Sequence, residues 1–497
     1  MPNLSPAMNF RAFIRLLEKQ GDLVRINVPV DPDLEAGAIT RRVYETRQSA
    51  PLFESLLNSN GFRILGAPAG MRSVPGREYS RVAAHFGLPE TATPREILEK
   101  ITRASCATPL DPVCLPTGPC KENIRKGADV DLTLFPVPRL HAEDGGKYFG
   151  TYGMHVVQSP DGQWDSWSVG RLMLRNKNTL VGPAMPQQHV GMIRDMWARQ
   201  GLNTPWAMAL GVPPAALAVA GMPLPAGVSE PGYVGALTGT PVEVVRCETS
   251  GLYVPASAEI IVEGEISFDE KAPEGPMGEY HGYSFPEGKS QPVFHVHAVT
   301  WRNQAILPVC VAGLPPEENH TIWGTMMSAQ ALSLMKENAM PVDMAWCSYE
   351  AASCWIVFSI DTQKLAKMKT TAEAFSHQIA HIFFRSHVGW LIPKVILVGN
   401  DIDITRIDQV VWAMATRSHP ERDYFTYPSL PGIPLVPYLN PEEKQQGESV
   451  KSIVSCLFPE EFQGSHRARP ASFSHSYPAS VQSCVTENWS AYGFSDR

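Results

Sequence analysis

No run of about 18 apolar residues, the length that crosses a bilayer, occurs in this chain. The first twenty residues (MPNLSPAMNFRAFIRLLEKQ) hold no apolar signal core. Both absences predict a cytoplasmic protein with no membrane partner. Paired CxxC spacings are missing too. The nine cysteines, an odd number, are scattered, and no second Cys or His pair answers Cys106, Cys114 and Cys120. They read as free thiols of a reducing compartment. GxGxxG, GxxxxGK[ST] and GxSxG are absent, so nicotinamide, P-loop and α/β-hydrolase chemistry have no motif to rest on. Charged residues are only 19 %, and the net charge of -8 argues against nucleic acid as a partner. A phosphate-bearing ligand would need a local cationic site. His377 and His381 stand at i, i+4, but Gln378-Ile-Ala between them lacks the glutamate of HExxH, so no metal is expected there.

What is present is length and proline. A chain of 497 residues with 44 prolines is a loop-rich globular protein of two or three domains. Phe10 to Lys19 has helical periodicity, Leu23 to Val30 alternates as a strand, and Pro32 opens a helix to about Arg47. Phe62 to Gly66 is a short strand. Thr93-Pro-Arg-Glu96 is a capping box that turns Ile97, Leu98 and Ile101 toward a core. We place an N-terminal α/β region at 1–104 and a Pro-rich linker at 105–120. Then Tyr152 to Gln158 pairs with Trp164 to Leu174 as a hairpin across Pro160-Asp-Gly. In that pattern Trp167, Val169, Arg171 and Met173 share one face, and Ser166, Ser168 and Gly170 the other. Arginine among apolar residues on a strand is costly unless it meets an anion, either a structural carboxylate or a substrate.

A helix follows from Gln187 to Gln200 with His189 near its start, then a strand from Pro205 to Val212. Gly227 to Gly239, containing Glu230, reads as loop. A second hairpin, Val293–Arg302 with Ala305–Val311, completes a β-barrel-like region at 121–314. From 315 to 439 the pattern is α/β: a helix over Ile322–Lys336, buried strands at Cys354–Ile360 and Lys394–Gly399, and one long helix, Lys364–Arg385, between them. We expect 440–497 to be an irregular segment ending in a tail helix, Val481–Phe494, that docks on a neighbour.

The stretch Ala272-Pro-Glu-Gly-Pro-Met-Gly-Glu-Tyr-His-Gly-Tyr283 stands out. It carries two carboxylates, Glu274 and Glu279, between glycines and prolines that shape a loop. Paired carboxylates can divide acid and base roles if their surroundings separate their pKa values. An ordinary acidic turn is the alternative.

Several segments together resemble the UbiD-like decarboxylases: Asp31-Pro-Asp-Leu-Glu-Ala, Ile39-Thr-Arg-Arg, Pro116-Thr-Gly-Pro-Cys-Lys-Glu-Asn, Gly145-Gly-Lys-Tyr, Thr151-Tyr-Gly-Met-His, Gln158-Ser-Pro-Asp-Gly, Gly232-Tyr-Val-Gly-Ala, Glu274-Gly-Pro-Met-Gly-Glu and Met368-Lys-Thr-Thr. The branch we expect is the fungal ferulic or phenylacrylic acid decarboxylases. The resemblance implies an α/β (α+β) fold: a split β-barrel flavin domain, an α/β oligomerisation domain and a C-terminal tail helix in a homodimer. It implies prenylated FMN, supplied by a flavin prenyltransferase, with Mn2+ and K+. The reaction implied is reversible non-oxidative decarboxylation of an α,β-unsaturated or aromatic acid by cycloaddition to that flavin.

By resemblance Arg171, Glu274 and Glu279 are catalytic, with Glu279 the proton donor and Arg171 orienting the substrate carboxylate. Ser166, Trp167, Ser168, Val169, Gly170, Arg171, Gln188, His189, Glu230 and His387 line the cofactor. Ser166, His189 and Glu230 hold Mn2+. Trp167, Val219, Ala220, Met222, Glu230 and Arg417 surround K+. Met185, Tyr280, Asn319, Trp323, Trp390, Ile433 and Leu435 wall the substrate pocket. Ser166 stands where the family has Asn, His387 where it has a phosphate-contacting Lys, and Ala220 where it has a K+-binding Ser. Trp323, Asn319, Tyr280 and Trp390 replace residues that are commonly Ile, Thr, Met and Tyr, which reshapes and narrows the pocket. These departures motivate an alternative, a non-catalytic or accessory flavin-binding paralogue.

Overall fold

The computed structural model describes residues 5–494 except 187, 286, 465–467 and 469. The N-terminal helix spans Phe10–Lys19, with the Asn9 side chain accepting from the Ala12 N–H. Its Phe10, Phe13, Ile14 and Leu17 pack with Leu52, Leu65 and Ile306. Both halves of the Thr93–Glu96 capping box form, and Ile97, Leu98 and Ile101 are buried. The expected strand from Leu23 stops at Ile26, and the helix expected from Pro32 begins at Glu35.

Strands Leu23–Ile26, Ala50–Phe53 and Arg63–Gly66 form a sheet with Ile306–Val309, which pairs parallel to Arg63–Gly66. The hairpin expected between Val293–Arg302 and Ala305–Val311 therefore does not form. Ile306–Val309 is buried throughout, and the N-terminal sheet offers it a covered edge. The Pro-rich stretch at 105–120 contains a strand, Val113–Leu115, parallel to Glu243–Arg246.

The central layer is an eight-stranded sheet. Strand Gly153–Gln158 pairs with Asp165–Val169 as the hairpin pattern predicts. The second strand ends at Val169, however, and pairing resumes only at Met173–Leu174, against Thr179–Val181. Arg171 thus lies in a break between strands, not on an apolar strand face. Gly170 makes that break close-packed, since a Cβ there would sit 2.7 Å from the His155 ring nitrogen. The strand Ile260–Glu274 runs for 15 residues and ends on a catalytic candidate, opposite Lys289. Glu230 is not in a loop. It opens a helix, Glu230–Thr238, that suits Pro231 in its first turn and ends at Gly239, where φ is +72°. The helix bearing His189 runs His189–Ala198, and Gln187 lies outside the described residues.

The C-terminal sheet has five strands in the order Val342–Cys347, Trp355–Ile360, Lys394–Gly399, Glu448–Cys456, Tyr424–Pro431, and its middle pairings are parallel. The long helix expected over 364–385 is two helices, Thr362–Met368 and Ala372–Phe383. Lys369 ends the first with φ +49°, and the Thr371 hydroxyl caps the second. The segment expected to be irregular from 440 contributes a helix, Pro441–Gln446, and the strand Glu448–Cys456. Its polar Glu448, Ser449, Lys451, Ser452 and Ser455 disguise a strand whose Ser449, Lys451, Ile453, Val454 and Ser455 are buried. The tail helix, Ala479–Glu487, buries none of its residues within this chain, and Tyr477, Trp489, Tyr492 and Phe494 are exposed.

Candidate active site

Glu274 closes its strand, and Gly275, at φ +86°, turns the chain into the carboxylate loop. The loop is pinned at close quarters. A Cβ on Gly145 would stand 2.0 Å from the Gly275 carbonyl oxygen, and the Gly145 N–H donates to Pro276 O at 2.8 Å. The Gly278 N–H donates to Asp144. Such a loop holds its side chains in one place.

Three ionisable groups meet there. Arg171 Nε donates to Glu274 Oε1 at 2.9 Å, and its Nη1 lies 2.9 Å from Glu279 Oε1. The Tyr148 hydroxyl adds a bond to Glu274 Oε1 at 2.9 Å. Tyr148 belongs to the Gly145-Gly-Lys-Tyr segment, so its signal was present in the sequence without a role attached. Glu274 and Glu279 are buried, while Arg171 is partly open to the cavity. Burial raises the Glu279 pKa, with Arg171 opposing and the Glu274 charge adding to the rise. Burial disfavours the Arg171 charge, but the charges of Glu279 and Glu274 outweigh it and keep the guanidinium protonated. A carboxyl whose pKa burial raises, beside a fixed cation, is better suited to general acid work than an exposed glutamate.

These groups line a cavity of about 630 Å³. A second cavity of about 220 Å³ adjoins it, sharing Val169, Met185, Gln188, Tyr280, Asn319, Trp323 and Leu435 as walls. Gly170 faces the first; Trp167, Ser168, Ala220, Met222, Trp390 and Ile433 face the second. His189, Glu230 and His387 also face the second cavity. His189 Nδ1 lies 2.8 Å from Glu230 Oε1, and the Trp167 N–H donates to Glu230 Oε2 at 2.8 Å. Burial raises the Glu230 carboxyl, and His189 opposes the rise. His189 Nε2 and His387 Nδ1 both approach the Leu224 carbonyl at 3.0 Å. Ser166, Val219 and Arg417 do not line either cavity. The Ser166 hydroxyl is 3.3 Å from that of Ser168, and the Arg417 side chain is bound to Asp401 at 2.9 Å. Every expected pocket residue is thus brought to the two cavities. Unanticipated from the sequence is a buried group behind Asn319: Cys310, Glu317 and Glu318. Adjacent glutamates carry no periodicity that would mark them as buried.

Family comparisons bear directly on this site. The N-terminal, Rift-related and C-terminal domains of 3-octaprenyl-4-hydroxybenzoate carboxy-lyase (UbiD) match residues 14–101, 113–315 and 320–456. The chain belongs to the UbiD family. It is a carboxy-lyase of the prenylated-FMN class that removes CO2 non-oxidatively from an unsaturated or aromatic acid. Pyrrole-2-carboxylic acid decarboxylase of Pseudomonas aeruginosa is 61 % identical over 99 % of each chain. Ferulic acid decarboxylase 1 of Saccharomyces cerevisiae is 38 % identical over 99 % of this chain and all of the yeast protein. The UbiD-class enzyme HmfF of Pelotomaculum thermopropionicum, solved in complex with FMN, superposes with a TM-score of 0.79 at 26 % identity, covering 93 % of this chain and 97 % of HmfF. The expected fungal branch is therefore wrong, and a bacterial pyrrole-2-carboxylic acid decarboxylase is far nearer.

Proposed function

We propose that this UbiD enzyme decarboxylates a compact heteroaromatic acid of the pyrrole-2-carboxylate type. The observation that carries this reading is the junction of the two cavities, where Tyr280 and Trp323 wall both, Trp390 walls the second, and Asn319 supplies an uncharged polar group. A flat five-membered ring suits that slot better than an extended phenylacrylic chain. The activity named for the 61 % identical P. aeruginosa protein supports the same class.

Prenylated FMN, when bound, supplies the electron sink for the pair left by departing CO2. The two adjoining cavities provide room for a tricyclic ring beside an acid, and the backbone of Trp167 to Gly170 with Gln188 would flank it. His189 and Glu230 offer a buried imidazole nitrogen and carboxylate oxygen 2.8 Å apart, donors that suit Mn2+, while Ser166, the third donor implied by the resemblance, sits behind the cavity wall against Ser168. K+ is assigned to the Trp167, Val219, Ala220, Met222, Glu230 and Arg417 group. Arg171 faces the cavity beside both glutamates and orients the acid by its charge. Glu279 delivers the proton that replaces CO2, and Glu274, held by Arg171 and Tyr148, fixes the arginine. The cofactor comes from a flavin prenyltransferase, and the enzyme works as a cytoplasmic homodimer. The exposed Tyr477, Trp489, Tyr492 and Phe494 support a tail that packs on a second copy.

The test uses protein co-expressed with a flavin prenyltransferase. The absorbance spectrum and mass of the bound cofactor are recorded. CO2 release is then compared for pyrrole-2-carboxylate, cinnamate and ferulate. Bound prenylated FMN with kcat/KM highest for pyrrole-2-carboxylate is expected. A higher kcat/KM for ferulate or cinnamate would overturn the substrate assignment.

A further inference from the structure

Cys310, Glu317 and Glu318 are the one buried group of three such side chains within 4.8 Å among the described residues, and they back onto the substrate cavity. Glu318 is held by the Tyr44 hydroxyl and the Ala69 N–H. Glu317 is fully buried. Its Oε2 accepts from the Cys310 thiol at 3.0 Å and from the Asn319 N–H at 2.9 Å. The Asn319 amide nitrogen lies 2.9 Å from both Glu317 carboxylate oxygens. On the far side the Glu317 N–H donates to His320 Nδ1 at 2.9 Å, and His320 Nε2 donates to the Tyr280 carbonyl at 2.8 Å. Glu317 is thereby fixed at both its backbone and its carboxylate.

An ionised carboxylate accepts hydrogen bonds and cannot donate them. Asn319 can therefore present only its NH2 group to Glu317. Its carbonyl oxygen has no partner among the described residues, and Asn319 lines both cavities. An acceptor on this wall welcomes a ring N–H and leaves a ring oxygen facing oxygen, with neither satisfied.

We infer that Glu317 is a positioning residue for substrate selection: it holds Asn319 with the carbonyl oxygen toward the cavity, so that acids bearing a ring N–H are favoured over their ring-oxygen isosteres. The inference rests on the heteroaromatic-acid reading above and names the source of its selectivity. A glutamine at 317 both donates and accepts, so Asn319 could turn either way.

The experiment compares pyrrole-2-carboxylate with furan-2-carboxylate at ~pH 8, above the value of about 7 to which burial pushes Glu317. KM and kcat are measured on prenylated-FMN enzyme, and dissociation constants on enzyme loaded with unmodified FMN. Wild type should prefer the pyrrole acid by about tenfold or more, the worth of one buried hydrogen bond. Glu317→Gln should cut that preference about tenfold through KM and the dissociation constant, with a smaller change in kcat. Asn319→Leu should abolish it, and this variant decides the matter if Glu317→Gln folds poorly. A preference unmoved by either substitution overturns the inference and leaves the proposed function standing. If wild type releases CO2 from neither acid, the proposed function fails. The dissociation constants then still judge the inference, and equal affinity of wild type and Glu317→Gln for the pyrrole acid overturns it.

Discussion

Arg171→Met keeps most of the side chain's length and removes its charge. The substitution deletes the 2.9 Å contacts to Glu274 and Glu279 and leaves two carboxyls, 2 % and 6 % exposed, with no arginine between them. Tyr148 still donates to Glu274. Glu279 is already raised by burial with the arginine in place, and it rises further without that cation. Breaking a buried ion pair by removing one partner costs about 3–5 kcal/mol. For a chain of 497 residues that is a fall in Tm of about 3–5 °C. The sign with pH is definite. A carboxyl raised in the native state binds more protons there than in the unfolded chain, so stability falls as pH rises through the native value. Below the ordinary glutamate range both states are protonated and the electrostatic part of the deficit vanishes. Thermal unfolding of flavin-free wild type and variant at ~pH 5 and ~pH 8 measures this. The expected result is a small deficit at the lower pH and the full one at the higher. An equal deficit at both would refute the argument that Arg171 chiefly neutralises two buried carboxylates.

Other expectations follow from the same site. Glu279→Gln should lower kcat by about a hundredfold or more while the flavin spectrum stays, because the amide cannot deliver a proton. In wild type, kcat should fall on the alkaline side as Glu279 loses its proton, and a flat pH–rate profile through that range would count against its role. His189→Ala should release flavin and metal together on gel filtration, since it removes the partner of Glu230. Trp323→Leu should open the wall shared by both cavities and raise kcat/KM for cinnamate relative to pyrrole-2-carboxylate, measured by CO2 release.

Much of this was legible from residues alone where the cause is local. The Thr93–Glu96 box is four residues of hydrogen-bonding chemistry, and it forms as read. The Gly and Pro spacing around Glu274 and Glu279 marked a shaped loop. Periodicity misled where tertiary partners intervened. The strand through Arg171 breaks at Gly170, because the His155 ring occupies the place of a side chain there. Lys451 made its strand look polar and exposed. In the fold it is 1 % exposed and donates to the Gly389 and Trp390 carbonyls, so a hidden strand carries a hidden lysine whose pKa burial lowers to about 7.

By itself the sequence determined the family, because that depends on which residues stand in which short segments. Only the tertiary structure decided that Arg171 and Glu274, 103 positions apart, share a 2.9 Å contact. It also decided that Ile306–Val309 leaves its neighbour for the N-terminal sheet, and that Glu317 stands behind Asn319 with its carboxylate buried. Those outcomes turn on which surfaces are left to cover once the local elements exist. No window of neighbouring residues records that competition.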